Sequence, residues 1–399
     1  MSTHEQAVLG QVALGYSPMI DKHRAITALR LTVFPIRPDA QLDSAQLLAA
    51  LGEVWPEDGG RVSLNVVSES LLQGLMQAEL PVNMMVEVPA FMASDPAHGE
   101  ALQTLYKRGN TLLIKGRPTL PLPREVLPCF AYSIIDLADE RRDGLPPPGG
   151  VSRHIPHVQS GVRTLTEMTE AFGRGAIAVL GWPIDDAIAV HGKTAGQPEM
   201  QTIVELINRV DREESPERME AVLKNDPALA FKLMRYINSP AFGLSVEITS
   251  FRHAVMILGF KRLKRWLALL LASASRDVNL RPVIYAAVRR GLLMEELGRD
   301  TGHDEDRRGE LFICGVFSLL DKMLGQPFAD LLRAIPVPEG VRQALVDNTG
   351  PDQPFMELVR AIEGANVLDI RSAAEAMLMN TREVNRAVLR ALAAARQLD

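Results

Sequence analysis

The sequence has few cysteines and no long apolar run, and both absences exclude classes of protein. Among its 399 residues the only cysteines are Cys129 and Cys314. They lie far apart in apolar surroundings, which is typical of core residues and excludes a disulfide framework or a thiolate metal site. The longest apolar run, WLALLLA, is far too short to span a bilayer. The first residues lack the pattern of a signal peptide, so we expect a cytoplasmic protein without a membrane partner.

Neither sign of charge is in large excess. The chain has 43 basic and 49 acidic residues mixed along its length, with a net charge of -6, so it offers no broad positive field for nucleic acid. The run KRLKRW at 261–266 could contact phosphates, but it is more typical of the solvated start of an amphipathic helix. The eight histidines form no metal-binding pattern on a helix. We predict no nucleic-acid partner, no cofactor and no bound metal.

The first 180 residues alternate short apolar runs with helical stretches. The runs are ALRLTVF, RVSLNVV, PVNMMVEVP, NTLLIKG and YSIIDLA. This alternation is typical of repeated βα units and predicts a parallel sheet or barrel. In the first run Arg30 shares a face with Ala28, Thr32 and Phe34. Strands this apolar are usually buried on both faces, so the guanidinium of Arg30 needs a partner.

Beyond residue 200 the sequence becomes helical. Asp226-Pro227 predicts a helix start, Ser250 a second one, and Asn380 with Glu383 resembles a capping box. Gly325 ends a helix that runs through LFICGVFSLLDKML. The segment 141–156 predicts an irregular surface loop. We therefore predict a fold class of α/β plus all-α, with domains at 1–185 and 201–399 and a linker at 186–200.

Several motifs carry a resemblance to two known families. The stretch NDPALAFKLMRYINSPAFGLSVEITSFRHAVMILG at 225–259 resembles the signature of the HDOD domain, a helical relative of the HD phosphohydrolases. The motifs YSPMID, SLNVVSESLL, MMVEVP, SIIDLAD and LGWP resemble the EAL domain, a TIM-type barrel that hydrolyses the bacterial second messenger cyclic di-GMP. The resemblance implies a degenerate EAL-like barrel followed by a helical HDOD domain. The short stretch between Asp136 and Pro183 leaves open whether the barrel is complete.

The EAL resemblance also implies where a metal site would lie. An active EAL domain holds divalent metals with oxygen ligands at the carboxyl ends of neighbouring strands. The family's EAL glutamate falls on Arg30, and its paired aspartates fall on Lys115 and Gly116. Three positions match family ligands, namely Asn65, Glu87 and Asp136. A guanidinium about 5 Å from a doubly charged ion costs roughly 6 kcal/mol at an effective dielectric near 20, so the resemblance implies a degenerate site without metal.

Two further expectations follow from this assignment. A buried Glu87 without a metal needs another cation, and we predict that it pairs with Arg30 or Lys115. In the helical half, the His-Asp pair of HD phosphohydrolases falls on Leu320 and Asp321. An aspartate without its histidine cannot build that metal site, so these positions are also degenerate.

Three hypotheses for the function remain. The favoured one is a catalytically inactive bacterial signalling protein that binds other regulators, such as GGDEF proteins or response regulators, in the control of motility, biofilm or virulence. The second is a receptor that binds cyclic di-GMP without cleaving it, although Ser17 and Phe34 replace the family's ligand-binding glutamine and arginine. The third is an active phosphodiesterase, which Arg30, Lys115 and Gly116 together oppose. The sequence leaves the partner and the oligomeric state open, and a homo-oligomer is one of the alternatives.

Overall fold

The computed structural model describes most of the chain. The described residues are 7–38, 40–142, 155–186, 198–223, 229–230, 233, 237–238, 248, 250–273 and 277–396, without the side chains of 140–142 and 198–200. The chain forms two compact units. The first comprises Met1–Asp186 and Arg360–Arg386, and the second comprises Ala187–Val359 and Ala387–Asp399.

The first unit contains a closed barrel of eight strands. These are β1 (Val12–Asp21), β2 (Ile26–Pro35), β3 (Val62–Val66), β4 (Met84–Pro89), β5 (Leu112–Lys115), β6 (Phe130–Asp136), β7 (His157–Val162) and β8 (Ala178–Gly181). Strand β1 runs antiparallel to β2 and β8, and all other neighbours are parallel. The predicted barrel is confirmed and it is complete. The apolar runs did not reveal β1, because Gly15 and Pro18 interrupt its pattern.

Helices of the first unit follow most of the parallel strands. They are α1 (Ser44–Gly52), α2 (Glu69–Gln77), α3 (Ala90–Ser94), α4 (Gly99–Lys107), α5 (Leu137–Arg142) and α6 (Leu165–Gly173), with 3-10 turns at Val8–Gly10, Pro96–His98 and Leu127–Cys129. Side chains fix several starts: the Asp43 carboxylate accepts from Ala45 N at 2.9 Å, and Thr164 forms a capping box with Glu167. Such caps satisfy amides that have no partner in the helix.

An apolar layer fills the lower part of the barrel. It consists of Met19, Ala28, Met85, Leu113, Ile134, Val158, Ala178 and Leu180, with Tyr132 packed against it. Because side chains on one strand face repeat every two residues, the next inward positions toward the carboxyl ends form a second layer. This second layer is polar, and it contains the candidate site.

The second unit is helical. Its elements are α7 (Pro198–Asp211), α8 (Pro216–Leu223), α9 (Phe251–Ser273, broken at Gly259), α10 (Arg281–Asp300), α11 (Glu305–Phe317), α12 (Leu320–Leu324), α13 (Phe328–Ala334) and α14 (Glu339–Arg342), with a 3-10 turn at Val278–Leu280 and a π turn at Gln343–Asp347. Helices α10 and α11 cross closely, since a Cβ on Gly315 would lie 2.5 Å from the Gly291 nitrogen. No helix among the described residues is long and apolar enough to cross a membrane.

The predicted helix boundaries met different outcomes. The Ser250 cap is confirmed, because its hydroxyl accepts from His253 N at 3.1 Å. Gly325 ends a helix in the left-handed conformation, as expected. The single helix predicted through LFICGVFSLLDKML is wrong, because Ser318 and Leu319 separate α11 from α12. Asp226-Pro227, most of the 141–156 loop and most of the 186–200 linker lie outside the described residues.

The basic run at 261–266 is neutralised within its own unit. Lys264 Nζ lies 2.5 Å from Asp211 Oδ1, and Arg265 donates two hydrogen bonds of 2.7 and 2.6 Å to Glu295. The other two ion pairs are Lys261–Asp306 and Arg262–Glu305. These contacts favour the interpretation of a helix surface over a phosphate-binding patch.

The chain returns to the barrel near its end. Helices α15 (Gln353–Gly364), α16 (Val367–Ala376) and α17 (Thr381–Arg396) follow the last turn of the helical unit. We call Arg360–Arg386 the returning segment, because it belongs to the barrel unit. This grouping differs from the prediction that placed all of 201–399 in one helical domain. Helical periodicity alone cannot show which unit a helix packs against.

Candidate functional site

The candidate site lies in the polar layer of the barrel, directly above the apolar layer. Arg30, Glu87 and Lys115 each stand two residues beyond an apolar-layer residue of β2, β4 and β5. Strand register places Arg30 beside Ser63 of β3, and Thr32 beside Asn65. The carboxyl ends of these parallel strands form the barrel mouth, where TIM-type barrels carry their chemistry.

Glu87 and Arg30 form a bidentate ion pair inside the barrel. The Arg30 Nε atom donates to Glu87 Oε1 at 2.8 Å, and Arg30 Nη2 donates to Oε2 at 2.6 Å. Ser63 adds a hydroxyl hydrogen bond of 2.9 Å to Oε1. The Glu87 side chain is 0% exposed and that of Arg30 is 15% exposed. The predicted pairing of Glu87 with a cation is therefore confirmed, with Arg30 as the partner.

Lys115 is bound by an amide. Its Nζ donates to Asn65 Oδ1 at 2.7 Å, and Asn65 Nδ2 donates to Thr32 Oγ1 at 3.2 Å. Burial lowers the pKa of Lys115, the nearby charge of Glu87 opposes this effect, and that of Arg30 adds to it. The two cations of the mouth thus have different partners, a carboxylate for Arg30 and a neutral amide for Lys115.

Gly116 and Asp136 complete the set of predicted positions. Gly116 has a φ of +84°, and its N–H donates to the Ile134 carbonyl at 2.9 Å. Asp136 ends β6, and its carboxylate accepts from Ser160 Oγ at 3.1 Å and from the Ala138 N–H at 2.9 Å. The contacts of Asp136 are therefore local to the ends of β6 and β7, and Gly116 offers no side chain to a ligand.

The residues present at the mouth do not fit a divalent metal ion. A hard cation such as Mg²⁺ needs several oxygen ligands with free lone pairs. Here Arg30 holds both oxygens of Glu87, and the Asn65 amide oxygen accepts from Lys115. A metal would have to displace two cations that lie among its own ligands. Over the whole described part of the chain, no group of three or more His, Cys, Asp or Glu side chains could hold a metal.

The HD-like positions lie in the helical unit. Leu320 is buried and Asp321 is half-buried in the first turn of α12. Burial raises the pKa of the Asp321 carboxyl, while hydrogen bonding and the charges of Lys322 and Arg290 lower it. The Oδ1 atom of Asp321 is buried and has no hydrogen-bond partner in the described structure. The geometry indicates that Asp321 is a half-buried carboxylate next to the packed face of α12.

Sequence reasoning missed three participants. Ser63 supports Glu87 and Thr32 supports Asn65, although both share the inward face of a strand with a predicted residue. The period of two along β2 and β3 could have found them. The third is the returning segment, whose Asn385 contacts β1. No local pattern connects these two stretches, because they are 371 residues apart.

A family model matches part of the helical unit. Residues 198–328 match the HDOD domain family. The uncharacterized protein YuxH of Bacillus subtilis (strain 168) is 24% identical over 322 residues, which span 77% of this chain and 78% of YuxH. The cyclic di-GMP phosphodiesterase CdgJ of Vibrio cholerae serotype O1 is 29% identical over 149 residues, 37% of this chain and 34% of CdgJ.

A solved structure is similar to part of the chain. It is a standalone versatile EAL protein from Vibrio cholerae O395 in its cyclic di-GMP-bound form, with 13% identity and a TM-score of 0.31 over 44% of this chain and 91% of that chain. The predicted fold class is confirmed: a closed eight-stranded barrel that fits an EAL-like domain precedes a helical region with an HDOD domain. Of these relatives, CdgJ is named for the hydrolysis of cyclic di-GMP.

Proposed function

We propose that this chain is a catalytically inactive bacterial signalling protein that acts by binding other signalling proteins in cyclic di-GMP-linked control of motility, biofilm or virulence. The observation that carries the proposal is the ion pair of Arg30 with Glu87. A phosphodiesterase of this fold needs carboxylates that are free to bind metal and activate water. Here the acid is neutralised by a guanidinium, which cannot lose its proton.

The second cation strengthens this proposal. Lys115 holds the Asn65 oxygen, so two matching ligand positions are both engaged with cations. Gly116 contributes no carboxylate. A single reversion of Arg30 therefore leaves Lys115 and Gly116 in place of the family's aspartates. We expect Arg30→Glu to destabilise the barrel without giving hydrolysis, because Glu87 then faces a second acid.

Calorimetric titration of the full chain with cyclic di-GMP and Mg²⁺, followed by chromatography of the products, tests the proposal. An inactive interaction protein gives no binding heat and no linear dinucleotide. A receptor gives heat without product, which would favour the alternative function. Linear dinucleotide above a no-enzyme control, with Mg²⁺ or Mn²⁺, would refute the proposal.

The expected partners are other regulators such as GGDEF proteins or response regulators. A two-hybrid screen of the full chain against these two classes tests the interaction directly. If neither class interacts and the titration also shows no heat, the proposed route of action is wrong. The expectation that the protein is cytoplasmic stays a prediction.

A further inference from the structure

The returning segment contacts the barrel mouth at Gly15 of β1. Gly15 pairs in register with Thr32, so its inward side lies on the face that carries Thr32 and Arg30. A Cβ on Gly15 would lie 2.9 Å from the Ala365 Cβ and 3.0 Å from the Ile362 carbonyl oxygen. Only glycine permits this approach. The end of α15 therefore covers the polar layer on the β1 side of the mouth.

A second contact holds the returning segment at the edge of β1. In the described barrel, β8 pairs with β1 at Met19, Ile20 and Asp21, so the stretch toward Val12 has no strand on that side. The Asn385 side chain takes the missing strand's place. Its Oδ1 accepts from Leu14 N at 3.1 Å, and its Nδ2 donates to Val12 O at 2.6 Å.

The chemistry of this contact is that of a β ladder. A side-chain amide has one acceptor and a donor group, as a peptide group has. The Asn385 side chain can therefore make the hydrogen bonds to β1 that the backbone of a neighbouring strand would make. It also donates to the Leu9 carbonyl at 2.8 Å and is 0% exposed. An aspartate could not donate here and an alanine could do neither, so the contact selects asparagine.

We propose that the returning segment is a lid of the barrel: it closes the β1 side of the mouth at Gly15, and the amide of Asn385 is the latch that holds it. A ligand or partner that enters the mouth over β1 must displace Ile362 and Ala365. Ala365, which directly follows the end of α15, has a φ of +50°, a conformation that is unfavourable for alanine. The lid restricts access to the mouth whether or not the barrel hydrolyses a substrate.

Hydrogen–deuterium exchange of the full chain tests the lid. In Asn385→Ala we expect exchange to rise about tenfold or more in peptides from 360–380 and 12–16, because the latch and the Leu14 amide lose their hydrogen bonds. Peptides of β4 and β5 should keep their wild-type rates. The matched control is Asn208→Ala, whose amide donates to Val204 O and Ala334 O in the helical unit, and which should leave the barrel peptides unchanged.

A second variant opens the lid without touching the latch. Gly15→Ala places a Cβ against Ala365 and should produce the same local rise in exchange. Adding Ala365→Gly should reverse part of it, since it removes the Ala365 Cβ, the nearest of the three atoms within 3.0 Å, and glycine accepts the positive φ. Two results would overturn the proposal: unchanged exchange in both Asn385→Ala and Gly15→Ala, or an equal rise in all strands, which would make the segment an inseparable part of the barrel.

Discussion

The pair of Arg30 and Glu87 predicts unequal effects of removing either partner. In Arg30→Met, the fully buried Glu87 carboxylate loses its bidentate partner and keeps the hydrogen bond from the Ser63 hydroxyl. Breaking a buried ion pair in this way costs about 3 to 5 kcal/mol. For a unit of this size, each kcal/mol lowers the melting temperature by about 2 to 4 °C, so we expect a fall of about 6 to 20 °C.

Glu87→Gln should cost less. The Arg30 side chain is 15% exposed, so its guanidinium can move toward solvent, and the glutamine oxygen can still accept from Ser63. We expect about 1 to 3 kcal/mol, the usual cost of leaving a polar partner incompletely bonded. In the double variant Arg30→Met with Glu87→Leu, no charge is stranded. Because apolar replacement of a buried pair is often neutral, most of the loss should be recovered.

Urea unfolding followed by tryptophan fluorescence measures these free energies, since Trp55 and Trp182 both lie in the barrel unit. The control is Arg163→Met, which breaks the exposed pair of Arg163 with Asp185 and should cost less than about 1 kcal/mol. With the single variant Glu87→Leu added to close the cycle, the effects of Arg30→Met and Glu87→Leu should couple by at least about 2 kcal/mol in the double variant. Additive effects, or an Arg30→Met no worse than Arg163→Met, would refute the reasoning.

Three further predictions concern single groups. Asp321→Asn should raise the free energy of unfolding at neutral pH, because it removes a buried carboxylate that is incompletely hydrogen-bonded. Burial raises the folded-state pKa of Asp321, so this gain should shrink as the pH falls through that raised pKa. Urea denaturation of both proteins at several pH values measures the difference. Lys115→Met should lose the hydrogen bond to Asn65. Because burial lowers the pKa of Lys115, the stability of the wild type relative to the variant should rise as the pH increases from that lowered pKa toward the ordinary lysine value. A stability difference that does not change with pH would contradict this. Asn380→Ala should cost about 1 kcal/mol of stability, because it removes the helix cap that accepts from Glu383 N at 3.0 Å. A small fall in melting temperature measures this loss. Asn366→Gly, at the cap of the preceding helix, should cost only a few tenths of a kcal/mol.

The sequence predicted the elements that depend on local patterns. Alternating apolar runs gave the parallel strands that carry Arg30, Glu87 and Lys115, and the capping box of Asn380 with Glu383 is confirmed by reciprocal bonds of 2.8 and 3.0 Å. The partner of Glu87 could be narrowed to two cations, because strands in one barrel bring their carboxyl ends together. Which of the two cations pairs with Glu87 depends on how far each side chain extends across β3. The alternation of residues along a strand does not predict this.

Long-range contacts were outside the reach of such patterns. The return of 360–386 to the barrel depends on one asparagine in a helix and one glycine in a strand. Either residue would be unremarkable in its own element. The grouping of the two units therefore needed the structure, and the status of the mouth positions as a degenerate site stays a prediction for the titration to test.

The hydrogen bond between Leu14 and Asn385 also has a consequence for synthesis of the protein. Its two residues are 371 positions apart, so a ribosome adding about 5 to 20 residues per second needs roughly 20 to 75 s between them. Throughout that interval β1 is already available while its latch does not exist. During this time the backbone groups at the edge of β1 have no hydrogen bonds from Asn385, and an exposed strand edge of this kind can pair with other chains. We therefore expect chains that end before Asn385 to need chaperones far more than the full-length protein does.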